Sequence, residues 1–324
     1  MSYFEPTLVN PLNEDPALLI KIKNEKRSFL VDCGSLYRLS YRDMQKITHV
    51  FITHTHLDHF IGFDSLIRAN IGLDKTLHFF GPKFIARQIH CKMLGYTWNL
   101  LCRENLKIKI HEIDMEELSE MALFPSDCFQ QCHILEKQSL SNNILYREAN
   151  FFVTYSRLQH KIPCLGYAFT EEERWHVDKK KLEAFEHAPG TWLNEIKEIL
   201  ETRTRVISIK VEDKEYSMSY LQKCLFEKKP GQKIAYITDT IFNEETLANS
   251  IELAQSADIL YCETHYAAED IAKAKDSYHL TTQQAGFIAK NAHVKKVVGF
   301  HFSPRYRLSR IPNLQKEIED SFKK

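Results

Sequence analysis

Four side chains that commonly bind metal ions occur within six residues, directly after a hydrophobic run. They are His54, His56, Asp58 and His59. Residues 49–53 predict a strand, and residues 58–67 predict a helix. His54 and His56 are two apart and share one face of an extended segment, whereas Asp58 and His59 leave the same corner in another direction. Two diverging pairs suit two adjacent ions. Imidazole and carboxylate ligands favour zinc, with manganese or iron as competitors.

Three further candidate ligands occur at the ends of other predicted strands. His160 lies shortly before the run at 165–169, Asp239 ends the run that begins at residue 234, and His301 ends the run that begins at residue 297. Each is weak alone, because Asp and His at strand ends often only cap turns. A bridging carboxylate is the usual way to hold two metal ions close together. Together with the first motif, these residues supply the ligands of two ions.

Short hydrophobic runs alternate with helical patterns along the chain. Strands are predicted at residues 17–22, 28–32, 77–80, 107–113, 151–155, 165–169, 205–210, 234–238, 259–262 and 297–300, and helices at 84–94, 244–254, 281–292 and 312–322. Two halves of similar pattern predict two sheets packed face to face with helices outside. Residues 170–230 differ, with a charged helical stretch at 178–185. They form either a solvated insertion or an appendage that contacts substrate.

Composition limits the class of partner. The 324 residues include 43 Lys plus Arg and 43 Asp plus Glu, so the net charge is zero. A general nucleic-acid coat would be basic, and RNA binding would therefore use a local patch. The eight cysteines form no C-x-x-C pair, which favours free thiols in a reducing cytosol. We expect a cytoplasmic protein, because neither a secretory signal nor a membrane span is visible.

Taken together, these motifs resemble those of the metallo-β-lactamase fold, and within it the ribonuclease Z branch of tRNA 3′-processing endonucleases. The matching segments are 54–59, 160–167, 238–240, 279–285 and the His-Phe-Ser-x-Arg-Tyr-like ending at 301–306, within a resemblance that spans roughly residues 15–306. The resemblance implies an α/β protein, a four-layer αββα sandwich of two mixed β-sheets. It also implies a single domain over residues 1–324, with 170–230 as a diverged substrate-binding arm.

The resemblance also implies a role for each site residue. The implied metal ligands are His54, His56 and His160 for one zinc, Asp58, His59 and His301 for the second, and a bridging Asp239. Asp58 would orient or deprotonate the attacking water, and His279, oriented by Glu263, would donate a proton to the leaving group. Arg305 would hold a phosphate oxygen, with a structural ion pair as the alternative. His56 favours a hydrolase, because the di-iron oxygen-reducing relatives generally carry Glu there.

Three segments depart from the branch pattern. Residues 6–11 replace a Gly-rich stretch, residues 262–265 keep only the Glu of a His-Glu-Ala-Thr loop, and residues 170–230 have only two Pro-Gly pairs. We expect a zinc-dependent phosphodiesterase, a ribonuclease Z-like homodimer that cleaves the 3′ trailer of pre-tRNA with a metal-bound hydroxide. The alternatives are a hydrolase of small phosphodiesters or other small esters, and a catalytically silent binding member.

Overall fold

Two large β-sheets form the centre of the molecule. The computed structural model describes residues 3–101, 105–202 and 204–323. The first sheet has eight strands in chain order: β1 (Phe4–Leu8), β2 (Leu18–Ile22), β3 (Ser28–Val31), β4 (Ile47–Phe51), β5 (Thr76–Pro82), β6 (Lys107–Asp114), β7 (Glu117–Leu123) and β8 (His133–Ser139). The second has six: β9 (Ile144–Arg147), β10 (Phe151–Gln159), β11 (Pro163–Glu171), β16 (Lys233–Ile237), β17 (Ile259–Glu263) and β18 (Val297–Phe300). Its spatial order is 18-17-16-11-10-9.

Helices cover the outer face of each sheet. The helices between strands of the first sheet are α1 (Tyr41–Lys46), α2 (Leu57–Phe60), α3 (Phe63–Asn70) and α4 (Ile85–Leu94), and those that follow β16 in the chain are α8 (Glu244–Ala254), α9 (Ile271–Ser277), α10 (Thr282–Asn291) and α11 (Ile311–Lys323). Separate apolar clusters join α3 and α4 to the first sheet, and α8 and α10 to the second. The layers therefore run helix, sheet, sheet, helix, which confirms the predicted αββα sandwich.

Aromatic side chains fill the space between the sheets. Phe51 on β4 lies with its ring centroid 5.1 Å from that of Phe169 and 5.5 Å from that of Tyr167, both on β11. Phe29 on β3 also contacts Phe169, at 6.2 Å. Because alternate residues of a strand face opposite sides, the neighbours Val50 and Ile52 pack on the helical side instead. This alternation makes β4 hydrophobic on both faces.

The parallel strands place the candidate site. In the first sheet β3, β4, β5 and β6 are parallel neighbours, and in the second β16, β17 and β18 are. The carboxyl ends of parallel strands meet at one edge of a sheet, where ligands commonly bind. At this edge the sheets are joined by a hydrogen bond from the Leu165 N–H to the Thr53 carbonyl, at 3.0 Å. Residues that follow β4, β16, β17 and β18 therefore converge.

The helix predicted over residues 58–67 is interrupted, so that prediction is wrong in its continuity. Helix α2 ends at Phe60 and α3 begins at Phe63. The Gly62 N–H donates to the Cys33 carbonyl at 2.9 Å, and a Cβ on Gly62 would lie only 2.1 Å from the carbonyl oxygen of Gly34. This close backbone approach requires glycine and redirects the chain. It fixes α2 against the end of β3.

Residues Ala149–Phe151 and Glu171–Gly231 form a second compact unit. Its elements are β12 (Arg174–Val177), α5 (Lys179–Glu183), α6 (Trp192–Thr202), β13 (Ser208–Val211), β14 (Lys214–Ser217), α7 (Met218–Leu225) and β15 (Phe226–Lys229). It has its own apolar cluster, which includes the buried Trp192, Ile196 and Leu221. The strand predicted at 205–210 begins only at Ser208 and pairs with β14 alone. The segment singled out by its composition therefore has a core of its own.

None of the described helices is long and apolar enough to span a membrane. Six described cysteines are free, but Cys128 is disulfide-bonded, so the expectation of free thiols is wrong for that residue. Spacing along the chain did not reveal the bond, because a disulfide depends on how closely two cysteines approach in the folded structure.

Candidate metal and hydrolytic site

The seven side chains proposed as metal ligands lie together at the shared edge of the two sheets. In the first group each residue offers one ligand atom within 4.8 Å of the others, and its members are His54, His56, His160 and Asp239. Asp58, His59 and His301 form a second such group. The groups adjoin, since the ring centroids of His54 and His59 are 4.1 Å apart. The structure thus brings together the residues that the strand ends had indicated.

Asp239 lies between the two groups. Its Oδ2 is 3.4 Å from His160 Nε2, 3.7 Å from His54 Nε2 and 3.6 Å from His59 Nε2. Its Oδ1 is 2.9 Å from His301 Nδ1. The carboxylate follows β16 and is buried, with 2% of its surface exposed. One carboxylate therefore faces ligands of both groups, which is the position that a bridging ligand requires.

The orientation of three histidines is fixed from behind by hydrogen bonds at Nδ1. The pairs are His54 with the Thr53 hydroxyl at 3.1 Å, His59 with Asp32 Oδ2 at 2.9 Å, and His160 with the Tyr278 carbonyl at 2.7 Å. Each partner can accept a proton from Nδ1, and in that neutral tautomer Nε2, which faces Asp239, is free to bind a cation. Metal-binding histidines are commonly anchored in this way, because the second hydrogen bond sets the tautomer and the ring plane.

Asp32 is a site residue that the sequence analysis had treated only as the end of a strand. It is fully buried, and its carboxylate accepts hydrogen bonds from the Thr53 N–H at 2.9 Å, the Thr53 hydroxyl at 2.8 Å and the Tyr236 hydroxyl at 3.1 Å, in addition to His59. Asp32 thereby holds the backbone just before His54 as well as the ring of His59. The available signal was a carboxylate that ends a hydrophobic run, which is the same signal that identified Asp239.

Backbone conformation also directs side chains into the site. Asp32, Tyr278 and His301 have left-handed backbones, with φ of 55°, 61° and 58°. This conformation is uncommon outside glycine and costs free energy that the surrounding structure must supply. For His301 the left-handed turn comes directly after β18, where the chain leaves the sheet. Three of the fourteen described non-glycine residues with positive φ therefore form or orient the candidate ligands.

The residues present fit a pair of cations. Three buried ring nitrogens have no hydrogen-bond partner in the described part of the chain: His54 Nε2, His59 Nε2 and His301 Nδ1. The last is close to Asp239 but lacks hydrogen-bonding alignment. A buried polar atom without a partner is costly, and a cation in each ligand group would together satisfy all three. A mixed set of imidazoles and carboxylates suits zinc, with manganese or iron as competitors.

The ionised carboxylates of the site favour the binding of a cation. Burial opposes ionisation of Asp239, but His301 and His59 outweigh it and hold its pKa well below the usual value. Burial likewise opposes a charge on His301, yet Asp239 and Asp58 raise its pKa to about 10. Burial lowers the pKa of His54, whereas Asp32 and Asp239 overcome burial and raise that of His59. Carboxylates that stay ionised among buried imidazoles attract a cation.

His279 and Glu263 form a hydrogen-bonded pair beside the ligands. His279 Nδ1 lies 3.2 Å from Glu263 Oε2, and Glu263 is fully buried at the end of β17. The ring centroid of His279 is 4.8 Å from that of His160. Burial acts to lower the pKa of His279, but Glu263 outweighs it and raises the pKa. The Thr281 side chain caps α10, so His279 lies on the loop at the entrance of that helix.

Arg305 is exposed and has mixed contacts. Its Nε donates to the Ser303 hydroxyl at 3.2 Å, and its guanidinium carbon lies 4.9 Å from the ring centroid of Tyr266. Within the described residues it forms no salt bridge, so its terminal nitrogens stay available to an anion.

His265 is a second residue that the sequence analysis did not assign, since it counted there only as a departure from a motif. Its ring stacks on that of His279, with centroids 4.1 Å apart and planes 14° from parallel. Its Nδ1 lies 3.1 Å from the carbonyl oxygen of His301. The sequence signal was a further histidine two residues beyond the end of a strand.

Known proteins resemble this chain in both sequence and fold. A family model described as "Anti-Pycsar protein Apyc1" matches residues 13–165. A protein named Ribonuclease Z from Deinococcus radiodurans is 30% identical over 281 residues, which cover 86% of this chain and 83% of that protein. Ribonuclease Z from Microcystis aeruginosa is 31% identical over 299 residues, which cover 90% and 80%.

One solved structure illustrates the shared fold. The crystal structure of the metallo-β-lactamase fold protein YhfI from Bacillus subtilis has a TM-score of 0.56 and 17% sequence identity to this chain. The match covers 98% of this chain and 94% of that one. This structure and the two face-to-face sheets show the metallo-β-lactamase fold. The sequence relatives show that the chain belongs to the ribonuclease Z family and is a metal-dependent hydrolase of phosphodiester bonds.

Proposed function

We propose that this protein is a zinc-dependent endonuclease that cleaves the 3′ trailer of pre-tRNA. The observation that carries the proposal is Asp239, whose carboxylate faces both ligand groups while the His279–Glu263 pair lies beside them. The relatives named Ribonuclease Z, at 30% and 31% identity over most of their length, support the choice of an RNA substrate. A substrate of this kind accords with a cytoplasmic location and, by the family resemblance, with a homodimer.

The two ligand groups would each hold one ion. His54, His56 and His160 would hold the first, Asp58, His59 and His301 the second, and Asp239 would belong to both. When bound, such ions lower the pKa of water to about 7 and offset the charge that develops on phosphoryl oxygens.

Asp58 is suited to position the attacking water. Its Oδ2 lies 3.2 Å from His301 Nε2, and the hydrogen bond to His301 holds the pKa of the carboxyl below its usual value even though burial opposes this. The side chain is about 42% exposed, unlike the buried ligands around it. It can therefore accept a hydrogen bond from water at the open side of the site and direct it towards phosphorus.

His279 is suited to protonate the leaving oxygen. Glu263 accepts the hydrogen at Nδ1, so the proton to be transferred is at Nε2. The carboxylate also accepts hydrogen bonds from the Leu280 and Thr240 N–H groups, both at 3.1 Å, and cannot swing away without losing them. A ribose alkoxide is a poor leaving group and benefits from this proton. Arg305 would hold a non-bridging oxygen of the phosphate through its free guanidinium nitrogens.

A second candidate function is the hydrolysis of small phosphodiesters or other small esters at the same site. The charge of residues 170–230 favours it, because this segment has 12 lysines and arginines against 13 aspartates and glutamates. A surface that grips the backbone of a long RNA is normally basic. A site that acts on small diesters needs no such surface.

One comparison separates the two candidates and tests for activity. Initial rates would be measured on a pre-tRNA with a 3′ trailer and on bis(p-nitrophenyl) phosphate, with the same zinc-reconstituted protein. The proposed function predicts a kcat/KM for pre-tRNA that exceeds that for the small diester by orders of magnitude, with one cut at the trailer. Turnover of the small diester with no cut in pre-tRNA would support the second candidate. No turnover of either would indicate a silent binding member.

A further inference from the structure

His265 lies at the edge where the parallel strands of the second sheet end. It follows β17 by two residues, and the loops that carry Asp239 and His301 leave the neighbouring strands β16 and β18. Its backbone is fixed on both sides: the N–H donates to Glu263 Oε2 at 3.3 Å, and the carbonyl accepts from the Ser303 N–H at 3.0 Å. The side chain is thus held in place beside the reacting groups.

The protonation pattern of His265 follows from its partner. Nδ1 lies 3.1 Å from the carbonyl oxygen of His301, and a carbonyl only accepts hydrogen bonds, so Nδ1 carries the proton. Nε2 is then an acceptor with a free lone pair. Within residues 3–101, 105–202 and 204–323 this nitrogen has no hydrogen-bond partner, and it is not among the buried unpaired atoms. His265 therefore presents an open acceptor to solvent at the site.

A third metal site is the obvious alternative role, because Glu263, His265, His279 and His301 each offer one atom within 4.8 Å of the others. The ring planes of His265 and His279 are, however, only 14° from parallel. Lone pairs of imidazole lie in the ring plane, so those of two stacked rings run side by side and do not converge on one ion. Glu263 is also occupied by three N–H groups and His279. The geometry favours an acceptor over a ligand.

We propose that His265 accepts a hydrogen bond from the ribose 2′-hydroxyl beside the scissile bond, and so selects ribonucleotide over deoxyribonucleotide substrates. The inference rests on the proposed function, in which His279 protonates the leaving 3′-oxygen. The 2′-hydroxyl is bonded to the carbon next to the one that bears the leaving 3′-oxygen. The ring of His265 is likewise next to that of His279, with the ring centroids 4.1 Å apart. Among the other polar groups assigned above, His279 and Arg305 donate, Glu263 is occupied by His279 and three N–H groups, and Asp58 faces the attacking water. His265 supplies the acceptor that a hydroxyl donor needs.

The test compares matched pre-tRNA substrates, assembled by ligation, that differ only at the nucleotide before the scissile bond. The nucleotide that carries the leaving 3′-oxygen would have 2′-OH, 2′-H or 2′-F, since fluorine withdraws electrons without donating a hydrogen bond. The proteins would be wild type, His265→Phe, which keeps a flat ring for stacking, and His265→Gln, which keeps an acceptor. His90→Phe on α4 provides the same chemical change outside the site.

We expect the wild type and His90→Phe to prefer 2′-OH over both 2′-H and 2′-F by about tenfold, as for one lost hydrogen bond. His265→Phe should lose this preference mainly through a slower reaction on the 2′-OH substrate, and His265→Gln should recover part of it. Metal content should stay the same in all variants. An unchanged preference in His265→Phe, or an equal loss on all three substrates, would overturn the inference. Failure of the wild type on every one of these pre-tRNAs would instead contradict the proposed function, and the inference with it.

Discussion

At the scale of single residues, the site depends on one carboxylate shared by two groups of ligands. Asp239 lies within 4 Å of ring nitrogens from His54, His59, His160 and His301. Replacing Asp239 with alanine should therefore remove both ions or nearly all turnover. Replacing a ligand that binds only one ion should leave the other ion in place. Elemental analysis and rates on bis(p-nitrophenyl) phosphate would measure this, with the exposed Asp213→Ala as control. A variant that keeps two ions and normal rates would show that the carboxylate is dispensable.

His279 should behave as a proton donor and not as a ligand. His279→Ala is expected to lower kcat on an RNA substrate by about 10²–10⁴-fold, the usual contribution of general acid catalysis, while metal content stays unchanged. The loss should shrink on a nitrophenyl ester, because nitrophenolate hardly needs protonation. Loss of metal in this variant would make the residue a ligand, and normal rates on RNA would make it a bystander.

At the scale of elements, three stacked histidines on neighbouring strands predict a pH dependence of stability. His49 on β4, His78 on β5 and His111 on β6 have ring centroids 4.6 Å and 5.3 Å apart in sequence order. Burial lowers the pKa of His49 to about 2 and that of His111 to about 3, and it lowers that of His78 as well. Their unfolded pKa is near 6.5. Below that pH the unfolded chain binds protons that the folded chain does not.

The free energy of unfolding should therefore fall as pH decreases from 6.5 towards 3, by about 1.4 kcal/mol per pH unit for each such proton. His49→Phe should reduce the slope of the unfolding free energy against pH by up to the contribution of one proton, about 1.4 kcal/mol per pH unit. Urea unfolding with chelator present, so that metal release does not contribute, would measure the slope, and the same change at the exposed His176 would serve as control. A slope equal to that of the wild type in His49→Phe would contradict the account.

The elements that carry the site were predictable because each ends a hydrophobic run with a polar residue, as Asp239 does after β16 and His301 after β18. What was missed depends on contacts between distant residues. The break at Gly62 comes from the backbone at Gly34, and no local pattern encodes it. Strand β8 was also missed, since most of its residues are exposed and show no alternation. Asp32 acts through partners more than twenty residues away.

Over the whole molecule the net charge is zero, so binding of a long RNA would need a local basic surface. Lys179, Lys180 and Lys181 are exposed on α5 and form the densest basic run of the second unit. If this run contacts tRNA phosphates, replacing all three with glutamine should lower kcat/KM on pre-tRNA and reduce its salt dependence, by about one unit of slope for each lost contact. The rate on the small diester should not change. Equal rates on pre-tRNA would show that these lysines do not bind RNA.

If the protein hydrolyses phosphodiesters with a pair of metal ions, its metal content and its turnover should rise together. The protein would be stripped with chelator and titrated with zinc, with bound metal and the rate on bis(p-nitrophenyl) phosphate measured at each step. We expect about two ions to bind per chain, with the rate reaching its maximum only as the second ion binds. Failure to bind zinc, manganese or iron after reconstitution, or turnover that persists in the stripped protein, would contradict this expectation.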